Sequence, residues 1–447
     1  MFQTVELPAW LLVLILLFAA VTFASHFLFP SVRWFFRKRA ERVVARLNDR
    51  LERPIQPFKL AERQDMIQRL IYDPQVAEAI AEHATEEGVP EAVAFERARR
   101  YAREIVPSFS ASLYFGLAIR LARWLSRALY QVHLDHNNDA ALDAIDPDAT
   151  VVFIMNHRSN MDYVLITYLV AERSALSYAV GEWARVWPLS RLIRAMGAFF
   201  IRRRSRNALY RRVLARYVQL ATRGGVTQAI FPEGGLSLDG SVGPPKLGLL
   251  SYIVEDFDPE LRDVVFVPVG LNYDRVLEDR VLIETAERGD RKFRASIAQG
   301  LAFAARYVWR RLRGKAVRFG HAGVGFGRPL SLRQFVGEAS GDPVREVGGE
   351  LRRRLREVVP PLPLPLVAYT FWARDGDLSR AELISALEAT VGRLQQSAMT
   401  SVEQVVDDAL ASLKTRGILV NEGGRYRVAP AQKALIDFYA RSVAHLF

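Results

Sequence analysis

Cysteine is absent from this 447-residue chain, which excludes a disulfide framework, a thiolate nucleophile and the usual cysteine-ligated zinc sites. Any catalysis must therefore use oxygen and nitrogen groups. Acidic charge is in deficit, with 49 Asp and Glu against 61 Lys and Arg, for a formal net charge of +12. That excess suits an anionic membrane surface, a phosphate-rich donor such as acyl-CoA, an acidic carrier protein or nucleic acid, and does not choose among them. Internal repeats on the order of 20–50 residues are also missing. What is abundant is apolar character, 50% of residues, enough for two or three domains with a substantial core and too much for a disordered chain.

One stretch lacks charge altogether. From Leu7 to Phe29 there is no Asp, Glu, Lys or Arg, longer than the roughly 20 residues that cross a bilayer core. Glu6 is the only charge before it, whereas Arg33, Arg37, Lys38, Arg39, Arg42, Arg46 and Arg50 follow. This bias predicts a membrane anchor over residues 1–32 in the cell inner membrane, with the bulk of the chain on the cytoplasmic side. A cleaved signal peptide would need a basic region ahead of the apolar core and a small-residue cleavage site behind it. A segment lying along the interface is the other arrangement, with Pro8 and His26 in its favour.

Residues 33–145 read as helical, with apolar periodicity in 60–70, 76–87, 90–105 and 112–132 and breaks at Pro54, Pro57 and Pro107. From Thr150 short apolar runs alternate with helical ones: TVVFIM, LSYAV, AFFI, VTQAIF, VVFVPVGL and then 322–326. Such alternation predicts an α/β domain over 146–335, a mixed sheet flanked by helices. The proline-rich VVPPLPLPLV at 358–367 reads as a linker or rigid crossing segment. A helical module over 336–447 closes the chain, and its GILVNEGGRYRV turn after two helices gives it a winged-helix-like layout.

Three short segments carry chemistry. In NHRSNMDY (156–163), His157 follows an apolar run and Asp162 falls in the first turn of the next helix. An imidazole there can take a proton from a substrate hydroxyl while the carboxylate fixes its tautomer, the logic of a catalytic triad with a substrate alcohol in place of serine. Taken alone the spacing carries little information, because an aspartate at a helix start also complements the helix dipole. FPEGGLS (231–237) ends another apolar run and opens a loop with Gly234, Gly235, Gly240 and Gly243, followed by Lys246. Backbone N–H groups of such a loop can converge on an anion, although an ordinary glycine-rich loop looks the same. GAFFIRR (197–203) sets Arg202 and Arg203 at a run's end, where guanidiniums grip phosphate bidentately. Arg204 and Arg206 read as a solvated basic patch.

Taken together, NHRSNMDY, GAFFIRR, EGG, PPKLGLLSYIV and VPVGLNYDRV, with IYDPQVAEAIAEHA (71–84) and the terminal FYARSVAHLF, resemble the glycerolipid acyltransferase family, and within it the membrane-bound glycerol-3-phosphate 1-acyltransferases. The resemblance covers most of residues 60–447. It implies transfer of a fatty acyl group from an acyl-CoA or acyl carrier protein thioester to the sn-1 hydroxyl of glycerol 3-phosphate, giving lysophosphatidic acid. His157 would be the general base and Asp162 its partner. Arg202, Arg203, Glu233, Gly234 and Ser237 would serve the acceptor, with Gly235 and Lys246 beside them and Pro268 in a fourth motif on the acyl side. No cofactor, metal or covalent acyl-enzyme is implied, and anionic membrane lipids are the expected surroundings. One departure is that Leu236 stands where the family's third motif usually has an arginine, with Leu238 and Ser241 where further basic residues are usual.

Other readings make different demands. Acylation of lysophosphatidic acid at the sn-2 position would use the same pair with a different acceptor pocket. A membrane-tethered nucleic-acid binder would need basic residues on the 401–415 helix, which instead holds Glu403, Asp407 and Asp408 against Lys414, so no nucleic-acid partner is expected. A metal hydrolase would draw on HLDHNND at 133–139, which lacks the glutamate of an H-E-x-x-H arrangement and reads as the polar end of a helix.

Overall fold

The computed structural model describes residues 8–447 except 136, 171–172, 182–184, 186, 188, 203–204, 206, 290–312, 314–317, 339–340, 375 and 393–400, and the side chains of 23–37 and 39–40 also lie outside the description. Two compact units result, residues 1–55 and 56–447. In the first, a single helix runs over Ala9–Asn48, and Asn48 Oδ1 accepts from the Ile55 amide at 2.8 Å after the chain leaves it. The segment expected to be a membrane helix is the first part of this element, and it exposes Trp10, Leu14, Leu17 and Phe18. Among the described residues no helix is long and apolar enough to cross a membrane.

The second unit is built on the strands β1 (Gln131–Asp135), β2 (Thr150–Met155), β3 (Ser177–Gly181), β4 (Phe199–Ile201), β5 (Gln228–Ile230), β6 (Val264–Tyr273), β7 (His321–Phe326) and β8 (Leu330–Ser331). They form one sheet in the order β1-β7-β6-β2-β5-β3-β4, with β8 added to β6. From β6 through β2, β5 and β3 to β4 the strands are parallel, while β7 and β8 run antiparallel to β6. The sheet is therefore mixed and helix-covered, as the alternation predicts.

Every residue of β2 and β6 is buried, which is why these strands are nearly continuous apolar runs instead of alternating ones. Val151, Phe153 and Met155 pack into one core with Val265, Val267 and Val269. Val152 and Ile154 point the other way and meet Val264, Phe266 and residues of the helices Arg63–Ile71, Pro74–Glu87, Glu91–Ile105 and Ala208–Arg223. Each such fully buried side chain contributes about 1.5–3 kcal/mol of transfer free energy. Local sequence sets the helix starts. Asn207 Oδ1 caps the Tyr210 amide, and Asp73 accepts from Gln75 with Pro74 at the first helical position.

Two expectations need correction. HLDHNND is not the end of a helix, because its first three residues belong to β1, the edge strand that pairs with β7 from Gln131↔His321 to Asp135↔Gly325. The proline-rich stretch is not simply a linker, since Pro363–Arg374 forms a helix whose Leu364, Leu366, Val367, Ala368 and Phe371 are buried. Pro363 and Pro365 occupy its first turn, where a missing N–H breaks no intrahelical bond. Beyond it, β9 (Leu378–Ser379), β10 (Leu419–Glu422) and β11 (Arg425–Val428) form a small antiparallel sheet in the order β10-β11-β9. Ser379 and Glu382 close a capping box at the start of the helix Arg380–Val391.

Candidate active site

β2 ends at Met155, and Asn156 then extends its pairing by side chain. Its amide donates to the Leu271 carbonyl at 2.9 Å and accepts from the Leu271 N–H at 2.7 Å, reproducing a rung of the ladder to β6. This fixes the chain entering the turn that carries His157. The helix Met161–Leu169 begins four residues later, with Asp162 in its first turn.

Asp162 is fully buried and gathers four donors. Oδ2 lies 2.9 Å from His157 Nδ1 and accepts from the amides of Arg158 at 2.7 Å and Ser159 at 3.1 Å, while Oδ1 accepts from the Tyr273 hydroxyl at 2.7 Å. His157, 2% exposed, stacks on Phe231 with ring centroids 4.1 Å apart and meets the edge of Tyr163 at 5.5 Å. With the carboxylate on Nδ1, the ring is held with Nε2 as the nitrogen available for proton transfer.

Glu233 ties the third segment to the first. Its Oε1 accepts from the His157 amide at 3.1 Å and its Oε2 from Gly243 at 3.4 Å, while the Ser237 amide donates to the His157 carbonyl at 2.8 Å. Burial raises the Glu233 carboxyl to about 7, against the pull of those amide bonds. Gly234 and Gly235 make the turn after β5. Gly234 has φ +65°, and a β-carbon on it would lie 2.9 Å from the Lys246 side chain, so the lysine stem runs directly over the turn. The Lys246 amide donates to the Pro232 carbonyl at 2.7 Å. Glu233 and Lys246 both line a cavity of about 20 Å³, room for about one water. Ser237 Oγ is spent within the loop, donating to the Ser241 carbonyl at 2.8 Å and accepting from Gly240 N at 3.1 Å. Leu236 and Leu238 pack against the core that holds the carboxyl-terminal helices.

The second segment arrives at the same sheet edge, because β2, β5, β3 and β4 are parallel and end together. Two strands nevertheless stand between β2 and β4, and Arg202 is turned toward Glu104. Its Nε and Nη2 donate to that buried carboxylate at 2.9 and 2.6 Å, and its guanidinium lies over the rings of Tyr101 and Tyr210. The structure thus does not bring Arg202 into contact with His157. Arg203 lies outside the described residues. Pro268 sits within β6 opposite Ile154, and its carbonyl accepts from Gly327 where β7 gives way to β8. His445 bonds the Arg356 carbonyl at 2.7 Å, and burial, with repulsion from Arg356 and Arg158, lowers it to about 4.

The spacing of His157 and Asp162 does not by itself point to Asn156, Tyr273, Phe231, Arg158 or Glu278. Arg158 is buried with Nη1 on the Gly240 carbonyl and its guanidinium 4.7 Å from the Phe438 ring. Glu278 accepts from Ser159 Oγ at 2.7 Å and from the Asn160 amide and side chain. Asn156 and Tyr273 fall inside NHRSNMDY and VPVGLNYDRV, so the same motifs contain the missing signal.

Two family models match the chain, the acyltransferase model over residues 118–272 and the glycerol-3-phosphate acyltransferase C-terminal region over 307–447. Residues 118–272 thus belong to the acyltransferase family. The match to the first model spans His157, Asp162, Glu233 and Lys246 and ends one residue before Tyr273. Among curated relatives in this family, a protein of Aeromonas hydrophila named glycerol-3-phosphate acyltransferase is 28% identical over 418 residues, 87% of this chain and 50% of the relative. One of the same name from Pseudomonas entomophila is 31% identical over 300 residues, 66% of this chain and 35% of the relative. The chain spans about half the length of the first of these relatives. A solved structure, the 1-acyl-sn-glycerophosphate (LPA) acyltransferase from Thermotoga maritima, shares 21% identity at a TM-score of 0.34 over 55% of this chain and 77% of that one.

Proposed function

We propose that the chain moves a fatty acyl group from an acyl-CoA or acyl carrier protein thioester to the sn-1 hydroxyl of glycerol 3-phosphate, giving lysophosphatidic acid. The observation that carries the reading is the buried relay from Tyr273 through Asp162 to His157, in a chain whose residues 118–272 belong to the acyltransferase family. His157 Nε2 takes the proton of the acceptor hydroxyl as its oxygen attacks the thioester carbonyl, and the departing thiolate receives that proton back. Asp162 stabilises the imidazolium between these steps, and Tyr273 and two backbone amides keep the carboxylate in place. No covalent enzyme intermediate or cofactor enters this scheme.

The glycine turn with Glu233, Gly234, Gly235 and Ser237, together with Lys246, is our candidate for holding the acceptor phosphate. Arg202 approaches from the next stretch of the same sheet edge, exchanging Glu104 for the phosphate; Arg203 is the second cation we assign to that role, and the Pro268 segment borders the acyl side. With Leu236 packed against the core, Lys246 and these arginines carry the positive charge that the acceptor needs. Residues 7–29 hold the chain to the inner membrane and the bulk of it lies on the cytoplasmic side, a reading supported by the charge-free stretch and the cations behind it. The three-stranded sheet with its two helices supports a winged-helix-like carboxyl-terminal module without a nucleic-acid partner, since Asp407 of the helix Val402–Thr415 is paired to Arg380.

The test is acyl transfer by the purified chain from labelled acyl-CoA and acyl carrier protein to glycerol 3-phosphate and, separately, to lysophosphatidic acid. Preferential labelling of glycerol 3-phosphate supports the proposal. Labelling of lysophosphatidic acid alone replaces it with sn-2 acylation, and transfer to neither removes it.

A further inference from the structure

The helix Ile119–Leu129, entered through a π-helical turn at Tyr114–Ala118, has two apolar faces. Ile119, Ala122 and Leu129 form its core face and are buried. Leu117, Leu121 and Trp124 do not join them, being 56%, 52% and 43% exposed. Their spacing of four and three residues puts them in one stripe along the solvent side. Arg120, Arg123 and Arg127 stand beside it, all exposed. Arg318, from a distant part of the chain, completes the set around an open cleft of about 360 Å³.

A single large apolar side chain in water is ordinary, but a contiguous stripe rimmed by charge marks a contact surface. We propose that this stripe is where the folded unit rests on an anionic phospholipid bilayer. Leucines there reach the acyl boundary, the Trp124 indole sits at headgroup level, and the guanidiniums meet lipid phosphates while their stems cover apolar surface. Charge complementarity selects this occupant. A second copy docked about a two-fold axis would set four arginines against the same four, whereas a bilayer offers apolar depth and negative charge at one level.

The surface stands one helix from the candidate active site. Arg127 Nε donates to the Tyr168 hydroxyl at 3.1 Å, and the guanidiniums of Arg123 and Arg127 lie 5.4 and 5.5 Å from the Tyr168 ring. Tyr168 belongs to the helix Met161–Leu169 that carries Asp162. Delivery of a lipid product to the bilayer would follow from this proximity and rests on the proposed function. The membrane contact does not.

The lack of cysteine makes the contact directly readable. A single Leu121→Cys in the full chain, labelled with an environment-sensitive NBD fluorophore, reports on this position alone, with Glu422→Cys on the β10–β11 hairpin as the control. With phosphatidylcholine vesicles containing phosphatidylglycerol, emission at position 121 is expected to rise several-fold and to fall back in high salt, while the control stays flat. Arg120→Gln should raise the lipid concentration at half-saturation several-fold. No change at position 121 on vesicles that co-float with the chain would overturn the proposal. So would an equal response to pure phosphatidylcholine, or a rise that follows protein concentration without vesicles, which would indicate a second copy. None of these readouts depends on acyl transfer.

Discussion

Tyr273 donates its hydroxyl to one oxygen of Asp162 at 2.7 Å, and His157 Nδ1 meets the other at 2.9 Å. The tyrosine ends β6 and the histidine follows β2, two parallel neighbours, so the sheet itself sets the distance between them. Burial, with the Asp162 charge adding to it, pushes the Tyr273 phenol well above its usual range. It therefore remains a donor at neutral pH.

Replacing Asp162 by Asn should leave the turn nearly isosteric but put an amide against Nδ1. The expected loss in kcat is on the order of 10³-fold or more, as for triad aspartates. Tyr273→Phe keeps the ring and removes one bond, so about a tenfold fall in kcat and roughly 1 kcal/mol of stability are expected. Steady-state kinetics and denaturant titration check both. Equal kcat for Asp162→Asn and the parent would separate the carboxylate from the chemistry.

Glu233 makes stability depend on pH in a defined direction. Its carboxyl rises from 4.5 to about 7 on burial, so between those values the folded chain keeps a proton that the unfolded chain has released. The contribution of this group is complete below 4.5 and is lost as pH rises through 7. Glu233→Gln should flatten the fall in denaturant midpoint across that window, and an unchanged slope would show that Glu233 does not titrate there.

Arg202→Ala removes a bidentate partner from Glu104, leaving Arg185, 2.7 Å away, as the salt-bridge partner of that buried carboxylate among the described residues. A cost of about 2 kcal/mol in denaturant unfolding is expected. In our proposed function the same change also raises the KM for glycerol 3-phosphate. A stability loss with an unaltered KM would confine Arg202 to holding Glu104.

The buried strands were legible in sequence because both of their faces are covered, which turns β2 and β6 into nearly continuous apolar runs. β1 was not, since QVHLD is short, only partly buried and mostly polar, and its partner β7 comes far later in the chain. Proline misled at 363–365 because its ring is tolerated in a helix's first turn, where no bond is lost. At the site, His157 and Asp162 lie within one turn and a helix start, so their spacing carried the contact. Tyr273 reaches Asp162 across 111 positions and Arg202 reaches Glu104 across 98, separations that no local pattern encodes.

Gly240 joins the glycine loop to the carboxyl-terminal helix Lys433–Arg441. Its φ is +89°, and a β-carbon there would fall 1.8 Å from the Phe438 carbonyl oxygen. Gly240→Ala should cost at least about 1–3 kcal/mol through backbone strain and overpacking. Hydrogen exchange should show faster opening of 433–441, and unaltered exchange together with an unaltered denaturant midpoint would contradict this packing.

The most direct test of the central claim is single-turnover acyl transfer to glycerol 3-phosphate by the parent chain and by His157→Ala at matched folding and vesicle binding. The account predicts a loss of roughly 10²–10⁴-fold in the chemical step, with thioester binding retained. Transfer by the variant at the parent rate would contradict it.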